Sequence, residues 1–214
     1  MAALNSLSLL ESLPQDLLGE ILSRVASSSR EGISQCLTVS KTISSASHDD
    51  RVLKSLTLRP QAMLPLITYE RDYQLMERCL RSGNPVAHYI EGVKMLFVQE
   101  STPMGLFHLR KSAEGKYDNG TYLYGILMLL MGNRREGRMF LRSLDWMASK
   151  RRGDRCWREN KLSLRYINTP LEDAYITNLS SSEPPERCHL NDKDSRCRKC
   201  YYYKQMRKFM AFIL

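Results

Sequence analysis

From Leu13 the apolar positions recur at helical period. Leu17, Leu18, Ile21, Leu22 and Val25 stand at i, i+1, i+4, i+5 and i+8, one stripe along a short helix. Ser12 is placed to cap that helix, Gln15 lies at capping-box distance and Pro14 suits a first turn, so the helix is expected to begin near Leu13. Asp16 and Glu20 lie near this end, where the helix dipole favours negative charge. Shorter runs follow: Ile33, Cys36 and Leu37 with Val39, then Ile43 and Ala46, then Val52, Leu53 and Leu56 behind caps at Asp49 and Asp50. Three or four helices in about 45 residues bury little surface, because units below roughly 60 residues are marginal alone. Part of the first stripe is therefore expected to stay open for a partner.

Arg59 to Pro65 has proline near both ends and reads as a linker. Helical periodicity then returns. Tyr73, Met76, Cys79 and Leu80 line one face up to Ser82-Gly83-Asn84-Pro85, and Val86, Tyr89, Ile90, Val93, Leu96 and Phe97 line the next. A third helix is expected from a cap at Ser101 or Thr102 to Gly115, with Leu106, Leu109 and Ala113 inward, and a fourth carries Tyr122, Leu123, Ile126, Leu127 and Leu130 to Gly132-Asn133. Sliding the chain by 33 places Tyr89 on Tyr122, Gly92 on Gly125 and Leu96 on Leu129; a slide of 32 places Gly105 on Gly137 and Leu109 on Leu141. That is a repeated helix pair, two units with a partial one before them. Glycine inside the first helix of each pair permits a close helix approach at a propensity cost of about 1 kcal/mol.

Two resemblances attach to these residues. Leu13-Pro14-x-Asp16-Leu17-Leu18-x-Glu20-Ile21-Leu22-x-Arg24-Val25, followed by Val39-Ser40-Lys41, Asp49, Asp50 and Val52, resembles the F-box, through which substrate receptors dock on the Skp-type adaptor of cullin-RING ubiquitin ligases. It departs from that pattern at Ser40, where a Cys is usual, and at Ile43, where a Trp is usual. The resemblance implies adaptor contact through Leu13, Pro14, Leu17, Leu18, Ile21, Leu22 and Val25. Residues 70 to 148, with Leu109 to Lys116 reading L-R-K-S-A-E-G-K, look like the Sel-type branch of tetratricopeptide-like repeats, without the usual G-x-G-V turn. Such repeats stack into a curved surface whose concave side can hold a protein.

Composition and charge change this picture little. A 43% hydrophobic content suits a folded core over one or two domains. The longest apolar run, Tyr122 to Met131, is too short to span a bilayer, and no basic residue precedes Arg24, so a nuclear or cytoplasmic protein with no membrane contact is expected. The net charge of +9 lies mainly in the last third, where Lys150, Arg151, Arg152, Arg155 and Arg158 form a basic run. This run suits a solvated surface, nuclear import or an acidic partner; no nucleic-acid-binding motif accompanies it.

The candidate chemistry is confined to the same third. Cys188, His189, Cys197 and Cys200 read C-H-x7-C-x2-C, and Cys156 is a further thiol. Zinc takes four tetrahedral N or S ligands, and C-x2-C supplies half of such a site. The set considered is Cys156, Cys188, Cys197 and Cys200, with His189 as alternative ligand to Cys156. Reduced free cysteines and redox chemistry are the other readings; a disulfide framework does not suit an intracellular chain. The histidines His48, His88, His108 and His189 are dispersed, and no nucleotide or hydrolase fingerprint is present, so no enzyme and no required cofactor are expected.

The expected architecture is all-α: a three-helix F-box at 12–58, a linker at 59–67, stacked antiparallel helix pairs at 68–150 and a basic Cys-containing segment at 151–214. By resemblance this is the substrate receptor of an SCF-type ligase, a plant F-box protein with short helical repeats, with a Skp-type adaptor, a cullin beyond it and an unknown target as partners. A helical-repeat scaffold without ligase recruitment and a basic nucleic-acid binder are the alternatives.

Overall fold

A computed structural model describes residues 9–192 and 195–214, and among these it places fourteen helices and no strand. No helix among them is long and apolar enough to cross a membrane. The N-terminal module has four helices, α1 (Gln15–Ser28), α2 (Arg30–Val39), α3 (Lys41–Ala46) and α4 (Asp50–Ser55), the upper number that the periodicity allowed. Ser12 does not cap α1: its hydroxyl donates to the Leu9 carbonyl, and Pro14 takes the N-cap position. The carbonyl of Pro14 accepts from Leu17 and Leu18, so the proline starts the helix through its backbone. Ser29 and Ser40 cap α2 and α3, accepting from the N–H groups of Gly32 and Ile43, and Asp49 caps α4 from Arg51. Ser40 thus uses at a helix start the position where the F-box pattern has Cys, and Ile43, in place of Trp, is buried in the module core with Leu18, Leu22, Ala26, Val52 and Leu53. The side chains of Leu37 and Val39 lie outside the described residues.

The expected linker is mostly helical. Its prolines start helices, Pro60 in α5 (Arg59–Ala62) and Pro65 in α6 (Pro65–Arg71), because a first turn has no use for the N–H that proline lacks. Beyond α7 (Tyr73–Arg81) come the two pairs, α8 (Pro85–Phe97) with α9 (Thr102–Glu114) and α10 (Asp118–Leu130) with α11 (Arg134–Arg142). The repeat is physical as well as textual. A Cβ on Gly92 would stand 2.8 Å from Leu109, and one on Gly125 the same distance from Leu141. From the opposite helix, Gly105 presses on the backbone of Leu96 and Gly137 on Leu129. Both helices of each pair therefore carry a glycine at the crossing.

Three further helices complete the molecule: α12 (Arg151–Leu164), α13 (Asp173–Ser180) and α14 (Tyr201–Ile213). They change how the repeats must be read. The first helices of the pairs, α8 and α10, have α9 and α11 on one side; on the other, α8 packs against α5 and α6 with α12 reaching it at Tyr89, and α10 is covered by α12, α13 and α14. The Tyr89 hydroxyl donates to Asn160 of α12 (3.0 Å), and the Tyr122 hydroxyl to Gln205 of α14 (2.8 Å). Asn178 of α13 donates to the Leu130 carbonyl at the end of α10. Every residue of α10 from Asn119 to Leu130 is buried. The face expected to receive a target is filled by α5, α6 and the chain's own last third, and Tyr89, Phe97, Tyr122 and Tyr124 belong to the core.

Candidate functional site

Two places carry the features singled out in the sequence. The first is α1, whose apolar stripe divides lengthwise. Leu18 and Leu22 are buried, 0% and 2% exposed, whereas Leu17 and Ile21 are 52% and 39% exposed. A stripe with doubled positions is wider than the face one partner covers, so its inner half packs on α4 and α3 and its outer half faces solvent. Pro14 is exposed as well, and Leu13 and Val25 are half-buried. Of the seven residues assigned to adaptor contact, Leu18 and Leu22 therefore serve the module's own core. Beside the outer face Arg51 bonds Asp49 (2.8 Å) and Asp16 (3.3 Å), bracing the start of α1 against α4. The Arg51 hydrogen bonds hold the Asp49 carboxyl below the usual carboxylate range.

The second place is the loop before α14. The ligand atoms of Cys188, His189, Cys197 and Cys200 all lie within 4.8 Å of one another, with the Cys188 and Cys197 sulfurs 3.6 Å apart. Cys156 is not among them: it is buried in the middle of α12, where burial pushes its thiol up to about 12. His189 stands in its place. The Leu190 N–H donates to the Cys188 carbonyl across His189 (2.8 Å), a tight three-residue turn that lets adjacent side chains reach one point. Cys197 and Cys200 are joined by a turn closed by the Tyr201 N–H on the Cys197 carbonyl (2.9 Å). The backbone N–H of Cys200, then His189 and the N–H of Lys199, lower the Cys197 thiol to about 6, while burial raises Cys200 to about 11. Three thiols and an imidazole at this spacing can hold a metal ion.

The basic run is partly spent on structure. Arg152 and Arg155 of α12 both bond Asp118 at the start of α10, at 2.6 and 2.8 Å, and Lys161 lies over the Trp157 ring. One pairing escaped the sequence: His88 and His108, twenty residues apart on α8 and α9, meet through their Nδ1 atoms at 2.9 Å. Burial, with the nearby His108 and Lys111, lowers His88 to about 4. Burial lowers His108 as well, against Glu91 of α8, which pairs with Lys94 (2.9 Å) and lies close enough to His108 to favour its charged form.

Comparison with known proteins agrees with this layout. Residues 59–164 match the family described as plant tetratrico peptide repeats, which takes in α5 to α12 and so begins within the stretch first read as a linker. F-box protein At2g35280 of Arabidopsis thaliana is 34% identical over 140 residues, 65% of this chain and 85% of that protein. A second Arabidopsis thaliana F-box protein, At1g67623, is 30% identical over 131 residues, 61% of this chain and 44% of that protein. No solved structure matches. With an α1 to α4 module bearing the L-P-x-D-L-L helix and stacked helix pairs behind it, the chain belongs to the plant F-box proteins that carry short helical repeats.

Proposed function

We propose that this protein is the substrate-recognition subunit of an SCF (Skp-cullin-F-box) ubiquitin ligase. The outer face of α1, with Leu13, Pro14, Leu17, Ile21 and Val25, docks the Skp-type adaptor and through it a cullin, and the helical repeats hold the target protein. The observation that carries this reading is the exposure of Leu17 and Ile21 beside buried Leu18 and Leu22 on one helix. Burying the still-exposed part of these two side chains contributes about 1 kcal/mol each. Because the first helices of the pairs are covered, the target is met on the second helices, where Met104, Phe107 and Met139 stand exposed. The subunit is non-catalytic: it acts by holding a target near the loaded ubiquitin carrier, which makes transfer effectively intramolecular. No reaction cofactor is required, and the Cys/His cluster is a structural site for zinc. The work is done in the nucleus or cytoplasm.

A pull-down of the full chain with a purified Skp-type adaptor tests the docking. Wild type binds, and Leu17→Asp with Ile21→Asp abolishes binding while the helical circular dichroism and melting temperature stay within a few degrees. Undiminished binding by that variant, or no binding by folded wild type, overturns the reading.

A further inference from the structure

The C-terminal helix α14 covers the middle of the repeat stack, yet it is reached through a stretch with little apolar anchoring. Among the described residues between Ser182 and Cys200 no helix forms, and most of their side chains are half or fully exposed. What ends this stretch is the Cys/His cluster, and Cys200 is itself the residue before α14. We propose that Cys188, His189, Cys197 and Cys200 bind one zinc ion as a closed Cys3His site, and that this ion fastens α14 across α10, the first helix of the second repeat. The proposal rests on reading the cluster as a metal site and is independent of adaptor docking.

The geometry fits that ion. Zinc–sulfur bonds of about 2.3 Å in a tetrahedron put neighbouring ligand atoms about 3.8 Å apart. The observed sulfur separation of 3.6 Å and the 4.8 Å limit on the whole set lie around that value, and the cysteines are not joined as disulfides. Four protein ligands leave no open position, which is the mark of a structural rather than a catalytic zinc. The charge also balances. Three thiolates and a neutral imidazole around Zn2+ carry one net negative charge, and the sequence around them is basic on balance, with Arg187, Lys193, Arg196, Arg198, Lys199 and Lys204 against Glu186, Asp192 and Asp194. Binding deprotonates the thiols and releases up to three protons to solvent.

The same segment is gripped on its far side. Arg196 donates to the carbonyls of Met147 and Ala148, and Lys204 to that of Asp192. Immediately after Cys200, the Tyr201 ring stacks on Trp146 at 3.8 Å, and Gln205 one turn on receives the Tyr122 hydroxyl of α10. An ion that closes the loop from 188 to 200 therefore fixes the start of α14 over the turn after α11 and over α10.

The test uses the full chain purified without chelator. Elemental mass spectrometry is expected to find one zinc per chain, Cys197→Ser with Cys200→Ser to lose it, and Cys156→Ser to keep it. Cobalt substituted for zinc should give tetrahedral d–d bands with a charge-transfer intensity of three thiolates. Stripping wild type with EDTA should speed amide exchange in α14 by at least ~10-fold, with α1 unchanged, and added zinc should restore protection. Should the double variant fail to fold, the stripping and refilling of wild type gives the same readout. A metal-free wild type, a Cys188–Cys197 disulfide in its place, zinc retained in the double variant, or unchanged α14 exchange after stripping would each overturn the proposal.

Discussion

Asn84 joins the two halves of the molecule with one side chain. Its Nδ2 donates to the carbonyls of Leu53 and Leu56 at the end of α4, and its Oδ1 accepts from Val86 and Ala87 at the start of α8. It is 1% exposed, so each of these groups depends on it rather than on water. Asn84→Ala removes a helix cap and leaves two buried carbonyls short of a donor, which should cost about 2–4 kcal/mol. Urea unfolding of the two proteins checks this; a loss under about 0.5 kcal/mol would mean that water substitutes for the amide. In the sequence Asn84 is visible only as part of a helix-ending Ser-Gly-Asn-Pro string. Its cap role is local and legible, but its reach back to Leu53 and Leu56 spans some thirty residues and leaves no trace in any periodicity.

At the scale of the element, helix ends are repeated as faithfully as helix interiors. Gly83, Lys116 and Gly132 each have positive φ, +74°, +63° and +88°, just beyond α7, α9 and α10. The N–H groups after them, of Asn84, Tyr117 and Asn133, reach back to the carbonyls of Cys79, Ser112 and Met128. This is the Schellman closure. Two of the three positions use glycine, and Lys116 pays the left-handed strain that they avoid. Lys116→Gly should therefore stabilise the protein by about 0.5–1 kcal/mol, after the extra chain entropy of glycine is offset. Equilibrium denaturation measures it, and a destabilised variant would show that the lysine stem contributes packing that outweighs the strain. Helix positions and the glycine register were legible because both are short-range patterns. The division of the α1 stripe was not: spacing places Leu17 and Leu18 on one face, and only the arrival of α4 decides which points inward. The Cys/His set was legible in part: Cys188, Cys197 and Cys200 come together with the alternative His189, while nothing local told that Cys156 would lie inside α12 or that a tight turn would aim His189 and Cys188 at one point.

At the scale of the whole molecule, the boundaries drawn along the sequence do not divide the structure. Ser82 donates to Asp50 (2.7 Å) and Arg30 pairs with Asp72 (3.3 Å), so the F-box module shares polar contacts with the helices behind it beyond Asn84. At the other end, Arg59 pairs with Glu159 and Ser163 donates to the Ala62 carbonyl, which locks α12 onto α5. The buried apolar residues form one connected core from Leu18 to Met210. For the receptor role proposed above this continuity has a use: proximity accelerates transfer only if the target is held at a fixed place relative to the adaptor, and a hinge between F-box module and repeats would spread that placement. The consequence is measurable without any partner. Metal-loaded full-length protein should unfold in one calorimetric transition whose van't Hoff and calorimetric enthalpies agree. Residues 9–58 alone should show little helical circular dichroism, because a piece below roughly 60 residues that has lost Asn84 and Asp72 cannot offset its chain entropy. Two separated transitions, or a folded 9–58 fragment, would mean that the F-box module is an independent unit tethered to the repeats, and that target placement is set by flexible linkage instead of by the shared core.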